Sequence, residues 1–118
     1  MIRAIQTAFA PDASDEELAG VAERASVNDY KPGAVIFSEG DEADRLHLIR
    51  SGSVAVSRNL GGREIVTSYV AAGNYVGEMG LMGRTRRAAT VRANVATETI
   101  SLMAEDFVSI GSNDGDAL

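Results

Sequence analysis

The stretch Gly77-Glu78-Met79-Gly80-Leu81-Met82-Gly83-Arg84-Thr85-Arg86-Arg87-Ala88-Ala89-Thr90-Val91 combines residue types that suit chemistry on one small anion. Glycines at 77 and 80 let the backbone approach a ligand and turn successive N–H groups toward it. One helical turn over residues 78 to 82 would leave its first N–H groups free, and such groups seat anions. Arg87 can add a charge-assisted, bidentate pair to phosphate oxygens, each bond contributing roughly 1.5–3 kcal/mol. Glu78 needs its own account, because a carboxylate beside a phosphate is unfavourable unless only an acceptor will do. It either accepts from a sugar hydroxyl, which selects ribose over deoxyribose, or bridges to Arg86 or Arg87. The arginines between 84 and 92 also suit a plainer reading, a solvated strand rim.

Composition limits the partners. The chain of 118 residues carries a formal charge of -6, which argues against a nucleic-acid surface that would need a basic footprint. A local arginine cluster in an acidic chain fits a small anion better than a polymer. There is no cysteine, so disulfides and thiolate metal sites are excluded. His47 is the only histidine, so no imidazole metal cluster can form, and its alternating context reads as an ordinary sheet-face residue. No apolar run is long enough to cross a bilayer and no signal pattern opens the chain, which makes the cytoplasm the expected compartment.

Behind these residues lie the elements that must position them. Ser14 with Glu17 forms a capping-box signature, and Leu18, Val21, Ala22 and Ala25 recur at helical spacing, predicting a helix to about residue 26. Asn28-Asp29 ends it, and Pro32-Gly33 reads as a turn. Short strands then alternate with glycine turns. Val35 to Phe37 precedes Glu39-Gly40-Asp41, Leu46 to Ile49 leads through Ser51-Gly52-Ser53 as a hairpin, and Gly61-Gly62 joins Val56–Asn59 to Ile65–Tyr69. Gly73-Asn74 turns into Tyr75-Val76, and Ala88–Ala93 and Glu98–Met103 supply two more strands. This spacing predicts a mainly β sandwich or roll. A last helix near Ala104 to Ile110 gives way to Gly111-Ser112-Asn113-Asp114-Gly115, whose composition does not hold a helix.

The segment resembles the phosphate-binding cassette of the cyclic nucleotide-binding domain family, known from catabolite activators, kinase regulatory subunits and nucleotide-gated channels. The resemblance is carried by Val76-Gly77-Glu78-Met79-Gly80-Leu81-Met82 and by Arg87-Ala88-Ala89-Thr90-Val91-Arg92-Ala93. It extends to Tyr30-Lys31-Pro32-Gly33-Ala34-Val35-Ile36-Phe37 with Glu39-Gly40-Asp41, and to Leu48-Ile49-Arg50-Ser51-Gly52-Ser53-Val54, covering about residues 14 to 110. It implies a double-stranded β-helix, or jelly roll, of about eight strands. An N-terminal helix, a short phosphate-binding helix and a short C-terminal helix complete the expected fold. Residues 1–118 are expected to form a single domain with an ordered core at about 14–110, belonging to a larger protein.

The implied ligand site comprises Val70, Val76, Gly77, Glu78, Met79, Gly80, Arg87, Ala88 and Ala89. Glu78 would hold the ribose 2'-hydroxyl, Arg87 and the N–H groups of Gly80 and Ala88 the cyclic phosphate, and Val70 and Val76 the base or sugar. Family members that favour cGMP often carry threonine after the key arginine, and Ala88 there implies cAMP over cGMP. Arg87→Ala is expected to lose most affinity with the fold intact. Two departures stand out: Val76 replaces an aromatic, and nothing after Ile110 supplies the family's apolar lid helix.

The implied partners are the cyclic nucleotide and an effector domain or protein outside the chain. No direct nucleic acid, no membrane insertion by this segment and no separate cofactor are expected, and a homo-oligomer stays open. Catalysis lacks both a metal cluster and a placed nucleophile or base, so the chain reads as no enzyme. The alternative is a degenerate, non-binding β-roll kept as a structural or protein-interaction domain.

Overall fold

A computed structural model of the chain describes residues 5, 14–77 and 86–103. Helix α1 spans Asp15–Arg24 and buries Leu18 and Val21, the residues at helical spacing. Ser14 stands just before it and accepts from the Leu18 N–H at 3.2 Å. The Glu17 side chain of the expected capping box lies outside the described residues. The helix stops short of residue 26, where the Ala25 N–H is shared between the carbonyls of Val21 and Ala22.

Asn28-Asp29, expected to end the helix, lies instead within strand β1, Ser26–Tyr30. Among the described residues it is a polar edge strand, antiparallel to one neighbour only, so it needs no run of apolar residues. The other strands are β2 (Val35–Phe37), β3 (Arg45–Ser51), β4 (Ser53–Leu60), β5 (Arg63–Ala71), β6 (Tyr75–Val76), β7 (Thr90–Ala93) and β8 (Thr97–Met103). They form two four-stranded sheets, β1-β8-β3-β6 and β2-β7-β4-β5, with every pairing antiparallel. Among the described residues, eight strands in two sheets with an N-terminal helix make a jelly-roll-like fold. The expected phosphate-binding and C-terminal helices lie outside the described residues.

Alternation along β3 divides the interior. Leu46 and Leu48 join Ile100 and Leu102 of β8 against Ile5, Leu18 and Val21, forming a helix-side core. Ile49, from the opposite face of β3, joins Val54, Val76 and Val91, with Ile36, Phe37, Val56 and Val70 packed around them. This second core lies between the sheets and carries the cavity described below.

The expected hairpin at Ser51-Gly52-Ser53 is a corner instead: β3 and β4 belong to different sheets, and the chain passes from one to the other at Gly52. Gly52 has φ +87°, and a Cβ there would lie 2.5 Å from the Ala96 carbonyl oxygen. The pair Gly61-Gly62 does close a hairpin, joining β4 to β5. Strand β7 begins at Thr90, two residues later than expected, with Ala88 and Ala89 in a bend before it.

Candidate functional site

One cross-strand row on the second sheet builds the floor of a cavity. Phe37 of β2 stands opposite Val91 of β7, Val91 opposite Val56 of β4, and Val56 opposite Ser68 of β5. Val70 lies two residues along β5 from Ser68, on the same face. Tyr75 and Val76 of β6, with Gly77, close the cavity from the other sheet, and Arg87, Ala88 and Ala89 border it on the approach to β7. The cavity is open to solvent and has a volume of about 260 Å³.

Arg87 is only 5% exposed, and its main chain is tied to the turn after β2. The Arg87 N–H donates to the Asp41 carbonyl at 2.7 Å, and the Gly40 N–H donates to the Arg87 carbonyl at 2.8 Å. That turn is itself braced by the Ser38 N–H donating to Asp41 Oδ2 at 2.9 Å. The guanidinium donates through Nη1 to the Gly77 carbonyl at 2.7 Å and through Nη2 to the Arg45 carbonyl at 2.6 Å. Its Cζ lies 4.1 Å from the centroid of the Phe37 ring. Gly77 is required by this packing: its φ is +93°, and a Cβ would come within 2.6 Å of Arg87 Nη1.

His47 is buried on the inter-sheet face of β3, opposite Val76 and Ser101. Its ring centroid is 5.7 Å from that of Phe37, and its Nδ1 has no hydrogen-bond partner among the described residues. Burial, followed by the positive charges of Arg87 and Arg45, pushes its pKa from the ordinary 6.5 down to about 4, against a smaller upward pull from Asp44. It is therefore neutral at pH 7.

Arg86 is exposed, donates through Nη1 to the Gly40 carbonyl at 3.0 Å and pairs with Glu42 in an isolated bridge, so it fastens the loop to the turn after β2. Arg92 serves the sheet rim, donating to both carboxylate oxygens of Glu64 across the strands. Its guanidinium holds the Glu64 carboxyl below the usual carboxylate range, helped by the Ser57 hydroxyl. Of the arginines after residue 83, Arg87 alone borders the cavity among the described residues.

The structure brings Val70, Val76, Gly77, Arg87, Ala88 and Ala89 around one cavity. Glu78, Met79 and Gly80 lie outside the described residues, as does any pairing of Glu78 with Arg86 or Arg87. Sequence reasoning missed Phe37, Val56, Ser68, Tyr75 and Val91, which also line it. Strand alternation carried a signal for Val56, Ser68 and Val70. For Phe37 the available signal was a lone aromatic beside a glycine turn. Among the described residues no group of acidic or histidine side chains can hold a metal ion, and no helix is long and apolar enough to cross a membrane.

Comparison with known proteins agrees with this geometry. The family model described as "Cyclic nucleotide-binding domain" matches residues 27–114. The chain is 40% identical over 76 residues to a cGMP-dependent protein kinase of Toxoplasma gondii, covering 64% of this chain and 7% of the kinase. It is 35% identical over 82 residues to the cyclic AMP receptor protein of Thermus thermophilus, covering 69% and 38% of the two chains. Among solved structures, the regulatory domain of Toxoplasma gondii PKA with cAMP superposes with a TM-score of 0.82 at 25% identity, over 92% of this chain and 42% of that one. The chain spans less than half the length of these relatives. With three quarters of its length matched by the family model and a buried arginine bordering a mainly apolar inter-sheet cavity, the chain belongs to the cyclic nucleotide-binding domain family.

Proposed function

We propose that the chain is a non-catalytic sensor that binds a cyclic nucleotide, cAMP in preference to cGMP, and reports its presence to an effector outside the chain. The observation that carries this reading is the position of Arg87: a buried guanidinium at the border of an otherwise mainly apolar cavity. The apolar walls suit a base and sugar, while the cation suits the single negative charge of a cyclic phosphate.

In this reading the cyclic phosphate lies against Arg87 and the N–H groups of Gly80 and Ala88, the first of them at the start of a short helix over residues 78 to 82. Glu78 accepts from the ribose 2'-hydroxyl, and Val70 and Val76 wall the base or sugar. Met79, Gly77 and Ala89 complete the pocket. Ala88 offers no hydroxyl to a guanine, and this supports cAMP as the preferred ligand. Residues 1–118 act as one unit with a core at about 14–110. A short helix over 104–110 follows the roll, and the unit serves as the cytoplasmic regulatory part of a larger protein.

Calorimetry with cAMP and cGMP tests the proposal. Binding of both, tighter for cAMP, is expected. Tighter binding of cGMP overturns the base preference. Binding of neither leaves the roll as a structural or interaction domain.

A further inference from the structure

We infer that Phe37 is a positioning residue for the anion, its ring fixing the plane in which the Arg87 guanidinium meets a bound phosphate. The inference rests on the cyclic-nucleotide reading above and names a residue that reading does not use.

The guanidinium is constrained in two different ways. At its edge, Nη1 and Nη2 donate to the carbonyls of Gly77 and Arg45, which sets its direction within the plane. On its face, the Phe37 ring lies 4.1 Å from Cζ, which sets the tilt of that plane. Hydrogen bonds from the edge alone leave rotation about the line joining the two carbonyls, and a ring on the face removes it. Because Arg87 is buried, the attraction between cation and ring acts with little screening by water.

The chain makes a specific accommodation to put Phe37 there. Val35 pairs with Arg92 but Phe37 pairs with Val91, so the register shifts between them. Such irregularities re-aim a side chain out of the regular pleat. His47 also packs on Phe37, at 5.7 Å between centroids. A neutral imidazole supports the ring without competing as a second cation. An arginine already held in its plane loses less side-chain freedom when the anion arrives, which is how a residue that bonds nothing can raise affinity.

Phe37 also borders the cavity, so its effect on orientation must be separated from simple contact. Contact loss weakens every ligand, whereas loss of orientation weakens only ligands that carry the phosphate. The test is displacement binding of cAMP and of adenosine to the wild-type chain, Phe37→Leu and Phe37→Tyr. Phe37→Leu is expected to weaken cAMP about tenfold more than it weakens adenosine, with Phe37→Tyr close to wild type. Equal weakening of both ligands, or none of either, overturns the inference. Should Phe37→Leu not fold, pentafluorophenylalanine at position 37 keeps the shape and reverses the ring's charge distribution. Weakened cAMP binding then supports the inference and unchanged binding overturns it. A wild-type chain that binds no cyclic nucleotide removes the underlying reading, whereas wild-type binding with an unaffected variant removes the inference alone.

Discussion

Arg87 gives Nη1 to the Gly77 carbonyl and Nη2 to the Arg45 carbonyl, so a substitution there changes more than one charge. Arg87→Ala leaves two part-buried carbonyls without these donors, so it is expected to cost stability as well as affinity. Arg87→Lys is the sharper probe: an ammonium keeps the charge but cannot reach both carbonyls and a phosphate in one plane. It is expected to lower cAMP affinity about tenfold or more in calorimetry while the chain still melts cooperatively. His47 offers a second test at this scale. The unfolded chain takes up its proton near pH 6.5 and the folded chain only near 4, so the unfolded state binds more protons between those values. Stability is therefore lost progressively as pH falls from 6.5 to 4, by on the order of 3 kcal/mol at about 1.4 kcal/mol per tenfold change in proton affinity. Urea titrations of wild type and His47→Gln across this window should show the slope shrinking in the variant. The motif at 77–91 made Arg87 legible in the sequence, and strand alternation placed His47 on a sheet face. Neither revealed that Phe37 joins them, because that contact depends on pairing β2 with a strand more than fifty residues away.

Each glycine turn was visible as a turn, yet the element it served was not always the expected one. Gly61-Gly62 closes a hairpin because β4 and β5 share a sheet, whereas Gly52 carries the chain from one sheet to the other. A glycine reports a backbone angle, and the destination of the next strand is decided by distant partners. Strand β1 escaped notice for a related reason: Ser26–Tyr30 is a polar edge strand held by backbone pairing to β8, so it shows little apolar pattern. The corner at Gly52 should be costly to alter. Gly52→Ala combines φ +87° with a Cβ 2.5 Å from the Ala96 carbonyl oxygen and 2.6 Å from Thr97 Oγ1. A loss of about 2–4 kcal/mol by denaturant titration is expected. Gly73→Ala has a similar φ of +93° but meets nothing within 4 Å, and should cost about 1–2 kcal/mol. Equal costs would mean that the backbone angle alone sets the requirement.

Across the whole molecule, the two cores separate stability from the cavity. Leu102 belongs to the helix-side core and is fully buried. Leu102→Ala should lower stability by about 2–5 kcal/mol, read from denaturant curves, while folded protein keeps cAMP affinity within about twofold. The cavity floor obeys a different constraint. Phe37, Val91, Val56 and Ser68 come from four separate strands, and Ser68 lies on β5, the outermost strand of its sheet. An outermost strand is held on one side only, so its amides open to solvent more readily than those of β4 or β7. A ligand resting on this floor clasps that strand to its neighbours through side chains alone. Deuterium uptake at residues 66–71 should slow when cAMP is added, although no main-chain group of the strand need touch the nucleotide. The margin of the roll thus becomes a reporter of whether its interior is filled.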